Sequence, residues 1–117
     1  SFVPSISSHF IHLDFIELKI KHSYEIGVFT YNEKWQELKD LEYISVFKVN
    51  DFYHINMWYE KNKILNLLVS QDYKDALEKG FLISEKLNID LLDASVKGYH
   101  KWINKSVFSE TSKIEYL

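Results

Sequence analysis

The residues of this chain whose chemistry could reach beyond packing are its five histidines and seventeen carboxylates. Histidine titrates near neutrality and ligates borderline metals, so His9, His12, His22, His54 and His100 come first. A metal site needs three or four ligands that meet in space, and no HxH or HExxH spacing supplies them. His9 and His12 stand three apart, and His22 lies at the far end of what reads as one extended strand, so these side chains are not expected to converge. His54 reads as an outer-face residue of another strand, beside Trp58, and His100 as part of a weak C-terminal helix. No metal and no cofactor is expected.

The carboxylates give no more. Asp14 and Glu17 read as outward residues that solvate a strand and protect its edge. Asp90 and Asp93 flank an apolar pair and read as turn and capping residues. Cysteine is absent, which removes disulfides, thiolate zinc sites and thiol nucleophiles. GxSxG and SxxK motifs are missing, and Gly27, Gly80 and Gly98 are too few and too scattered for a phosphate-cradling loop. No catalytic residue is assigned, and the chain is expected not to be an enzyme. Asn104-Lys105-Ser106 matches the glycosylation acceptor pattern, a triplet common by chance.

Charge narrows the partners. The net charge is −3, and all fourteen basic residues are lysines, so the planar guanidinium fork that grips phosphate or guanine is missing. Nucleic acid is not an expected partner. What remains is aromatic: rings make up 16% of the chain, read either as core filling under an AT-rich codon bias or as a stacking or ligand platform. Trp58 has the opposite strand parity to Ile55, Met57 and Tyr59, which puts a large ring on the outer face of a sheet. Either a helix over 95–107, bringing Trp102 and Tyr99, covers it as a second layer, or it forms with His54, Trp102 and Tyr99 a partner surface, for which a protein partner is favoured over a small molecule.

These residues need elements to hold them. The strongest is DYKDALEKGFLISEKL, residues 72–87, where Ala76, Leu77, Gly80, Phe81, Ser84 and Leu87 recur at helical spacing. Acidic residues open it, Lys86 closes it and Asn88 suits a left-handed cap. Gly80 in its interior reads as a close approach of the helix to a sheet. Before it, 43–49, 52–60 and 64–69 read as three strands joined by turns at Asn50-Asp51 and Lys61-Asn62, an antiparallel meander. FIHLDFIELKIK reads as a first strand whose parity switch marks a bulge near Phe15 and Ile16. His22 and Ser23 then form a tight connection into a second strand, 24–31. Residues 32–40 read either as a helical turn around Trp35 and Leu38 or as an irregular connection. Ile89 to Leu92 is a short apolar run that returns to a sheet edge or packs beneath the helix. Val96, Tyr99 and Ile103 suggest a second helix over 95–107, and the last ten residues a mobile tail. No apolar run approaches the roughly 18 residues that span a bilayer.

Trp35, Leu38, Tyr43 to Phe47, Tyr59 to Ile64, Ala76, Leu77 and Leu87 to Ala94 give the chain a resemblance. It is similar to small uncharacterised proteins found widely in Bacteroidetes, which share a "YISVF"-like strand, an "lfYdkNkki" hairpin, an Ala- and Leu-rich helix and an "LnidLLDAt"-like end. Strand-rich order closed by one helix also looks like bacterial pleckstrin-homology-like domains. The resemblance covers roughly half of the chain and implies a binding or scaffolding module, with no catalytic residues to carry over.

The expected fold is α+β: an antiparallel sheet of five to seven strands, as a pleckstrin-homology-like barrel or an open meander, covered by one long helix, with a second C-terminal helix. Residues 1–8 form an irregular lead-in, 9–94 a single domain and 95–117 an appended helix and tail. The expected function is a non-enzymatic binding or scaffold domain, cytoplasmic or held at a membrane through an upstream segment. The alternative is a small cytosolic immunity-type protein that inhibits a toxin partner.

Overall fold

The structure is a computed structural model that describes residues 7–111 and 113–117. It is α+β, with nine strands in two sheets and two helices among the described residues. The chain forms two compact units that divide between Lys39 and Asp40. Most of the expected lead-in, residues 1–6, lies outside the described residues.

The first unit holds β1 (Ser7–Asp14), β2 (Lys19–Ile26), β3 (Phe29–Asn32) and β4 (Gln36–Glu37). β2 is central, antiparallel to β1 on one edge and to β3 and β4 on the other. The parity switch at Phe15 and Ile16 is therefore a turn, not a bulge. Asp14 Oδ1 accepts the amides of Ile16 (2.9 Å) and Glu17 (3.0 Å), and Leu18 closes the turn at φ 56°. Those amides hold the Asp14 carboxyl below its ordinary range. His22 and Ser23 are not a connection either but sit inside β2, and the next reversal is at Gly27, φ 61°. Residues 33–40 are irregular apart from the two of β4.

The second unit holds β5 (Leu41–Val49), β6 (Phe52–Tyr59), β7 (Lys63–Ser70), α1 (Tyr73–Leu87), β8 (Asp90–Val96), β9 (Tyr99–Trp102) and α2 (Lys105–Thr111). The expected meander is present, with left-handed residues at Asn50 and at Lys61 and Asn62 where the turns were placed. The sheet order is β7-β6-β5-β8-β9, an open arrangement and not a closed barrel. It is mixed and not purely antiparallel, because β8 runs parallel to β5. Interior parallel strands are buried on both faces and read as continuous apolar runs, which is why Leu91, Leu92, Asp93 and Ala94 are all buried.

α1 starts where Asp72 accepts the Asp75 amide (3.0 Å) and ends at left-handed Asn88 (φ 56°), whose own amide reaches Glu85 O. Its buried face is Ala76, Leu77, Gly80, Ser84 and Leu87. That face covers Ile44, Val46, Ile55, Met57 and Leu91, all fully buried, each contributing about 1.5–3 kcal/mol. At Gly80 the expected close approach is real: a Cβ there would lie 3.1 Å from Leu91 Cδ1 and 3.4 Å from Val46 Cγ2.

The second helix is displaced. Residues 95–107 do not form it: Val96 and Tyr99 pair across a hairpin that turns at Gly98, φ 82°. The helix that does form, 105–111, packs Phe108 against Phe81 of α1, ring centroids 4.9 Å apart. Nor do the described residues after it form a free tail. Glu115 O accepts the Asn104 amide (2.8 Å), and the Leu117 amide reaches Trp102 O (2.9 Å).

Candidate functional site

Strand alternation fixes what each face of the five-stranded sheet presents. Ile44, Val46, Ile55 and Met57 point at α1, so Tyr43, Ser45, Phe47 and Val49 of β5 and Phe52, His54, Asn56 and Trp58 of β6 point the other way. The register sets Tyr43 opposite Trp58, Phe47 opposite His54, and His54 opposite Val69 of β7. Trp58 thus lies on the outer face, as its parity implied. Its indole stacks on Tyr43 (5.3 Å, 19°) and donates from Nε1 to Ser45 Oγ (2.9 Å). Tyr43 in turn meets Trp102 of β9 edge-on (5.2 Å, 87°). Burial, and then the Glu42 charge, push the Tyr43 phenol up, so it stays neutral. His54 shares a 3.3 Å hydrogen bond with Asn66, which also donates to Asn56 (2.9 Å).

This face is apolar and only partly covered. Phe52 is 41% exposed, Trp102 41%, Phe47 42%, Val69 49% and Ile64 52%. Neither helix of the unit lies over it, since α1 packs on the opposite side and α2 packs on α1. Tyr99 does not belong with the other three expected surface residues. It shares the β9 parity of Lys101 and stands on the helix side. There, with Asp93, Val96, Lys101 and Tyr116, it lines a cleft of about 170 Å³.

That cleft borders the most polar buried cluster. Asp93 was expected at a turn or cap, but it is an interior β8 residue, 4% exposed. Its Oδ1 accepts the Ser95 amide (3.0 Å) and hydroxyl (2.6 Å), and its Oδ2 accepts the phenols of Tyr73 (2.5 Å) and Tyr116 (2.9 Å). Burial alone would raise the Asp93 carboxyl; these donors outweigh it and hold it below its ordinary range. Burial and the carboxylate together push Tyr73 far up, and Tyr116 is raised as well. The phenols remain donors and the carboxylate has no free acceptor position, so no base is left for chemistry. The cluster is a clasp that joins α1, β8 and the residues after α2.

Two of the three histidines of the first unit, His9 and His22, do meet, while His12 lies on the opposite face of the β1–β2 pair. Because the turn after Asp14 folds β2 back on β1, His9 Nε2 meets His22 Nδ1 at 2.7 Å, and His12 Nε2 meets Ser23 Oγ at 2.9 Å. The His9 and His22 rings lie edge to edge, 5.0 Å between centroids and 17° from coplanar, and His9 stacks on Tyr24 at 4.6 Å. Their facing nitrogens are spent on each other, and no group of three or more metal-ligating side chains exists among the described residues. His100 is exposed on β9 of the second unit.

The outer-face residues not singled out from the sequence are Tyr43, Phe47, Val49, Phe52, Ile64 and Val69. One signal for them was present. YISVFKV is apolar at both parities, so both faces of that strand ask for cover, and one long helix supplies only one layer. Protein-family models, curated proteins and solved structures give no match to the chain.

Proposed function

We propose that the chain is a non-enzymatic binding domain that docks a protein partner on the outer face of its five-stranded sheet. One observation carries the reading: an apolar, aromatic face with Phe47, Ile64, Val69 and Trp102 each 41–52% exposed, on a sheet whose other face is already closed by α1. Contiguous apolar patches of several hundred Å² on a folded chain mark interaction sites. The Asp93 carboxylate is already held by four donors, and His9 and His22 are bonded to each other.

The test is retention of bound protein by the tagged full chain and by two variants. Phe47→Lys places a charge on the outer face, and Lys74→Glu changes charge on the exposed side of α1. Loss with the first and retention with the second is the expected result. Equal retention by both contradicts the reading.

A further inference from the structure

Resting on that docking reading, we infer that the partner is a second copy of this chain, packed outer face to outer face about a twofold axis. Two properties of the face point there.

The first is charge. The strand lysines Lys48, Lys63 and Lys101 pair with Tyr53, Tyr59 and Asp93, residues whose parity puts them on the helix side. The outer face keeps rings, aliphatic chains and small polar groups, with the imidazoles of His54 and His100 and, at the entry of β8, the Asp90 carboxylate. A foreign partner recognised through charge would find almost nothing to read. Across a twofold axis each group near the axis meets its own copy, so a charged face repels itself and a neutral one does not. The two Asp90 carboxylates must therefore stay off the axis, and the rest of the face brings little charge to repel its own copy.

The second is area. Five strands at about 4.8 Å spacing, with strands of about seven residues at 3.3 Å each, give a footprint near 24 by 23 Å. Two copies then cover roughly 1,100 Å² in all, just above the ~1,000 Å² that separates a specific interface from a chance contact. Two twisted sheets stack face to face at about 10 Å, so the packing needs no rearrangement of either backbone.

The experiment is sedimentation velocity of the full chain from about 1 to 100 µM, together with iodide quenching of Trp58 and Trp102 in a Trp35→Phe background. The inference expects a dimer whose dissociation constant rises at least about 10-fold in Phe47→Lys, with iodide access to the indoles increasing on dissociation. Should Phe47→Lys fail to fold, Val69→Lys, on an edge strand that tolerates lysine, reads out the same face. A dimer insensitive to the folded outer-face variants overturns the inference. So does a monomer whose Trp58 and Trp102 are freely quenched, which leaves the docking reading standing. A monomer whose indoles are shielded from iodide removes both, because the face is then already covered within one chain.

Discussion

The two faces of the five-stranded sheet are built from the same strands and differ in how they are finished. On the helix side every large side chain of the centre is fully buried, Gly80 lets α1 lie against Leu91 and Val46, and Asp93 ties the rim with four accepted hydrogen bonds. On the outer side Tyr43 stacks on Trp58 and meets Trp102 edge-on, and Trp102 and Phe47 beside them stay about two-fifths exposed. The first face is finished by a helix of its own unit, and the second is not. Stability should therefore reside on one side and recognition on the other.

Substitutions can break that division. The largest loss is expected from Leu91→Ala, which opens a cavity under α1 at about 3 kcal/mol, read by urea denaturation. Next comes Asp93→Asn, at about 2 kcal/mol, since the amide group brings a donor where Tyr73 and Tyr116 already donate. This loss depends on pH. A folded carboxyl held below its ordinary value of 3.8 contributes stability that is present above that value and lost as pH falls through its lower folded value. The gap between wild type and Asp93→Asn should thus narrow on acidification below the ordinary value, and a constant gap would show that the charge is not what matters. Tyr116→Phe removes one donor and should cost about 1 kcal/mol, with faster amide exchange at 115–117 as its signature. The smallest effect belongs to Val69→Lys on the outer face of edge strand β7, within about 0.5 kcal/mol of wild type by the same denaturation.

Much of this contrast was legible in the sequence. The α1 face, its caps, the close approach at Gly80 and the β5-β6-β7 meander follow from local spacing and turn residues, and the structure has them all. Trp58 declared its face through parity alone. What failed was punctuation without a familiar turn pair. The β1–β2 turn has no glycine and depends on Asp14 capping its own loop, so an even-length turn looked like a bulge, and with it the meeting of His9 and His22 was lost. Gly27 and Gly98 did mark turns, but each lay inside an apolar pattern that could be read straight through. Val96, Tyr99 and Ile103 keep helical spacing by coincidence. Asp93 was misplaced because a parallel interior strand shows no alternation, and a buried carboxylate is recognisable only from partners far along the chain: Tyr73 and Tyr116 are 20 and 23 residues away.

The most direct test sets the two faces side by side: unfolding free energies of wild type, Leu91→Ala and Phe47→Lys, measured at a dilution where each is monomeric. The account expects Leu91→Ala to lose about 3 kcal/mol and Phe47→Lys to stay within about 1 kcal/mol of wild type. A Phe47→Lys loss as large as that of Leu91→Ala would show that the outer face is core, and would contradict the division on which the functional reading stands.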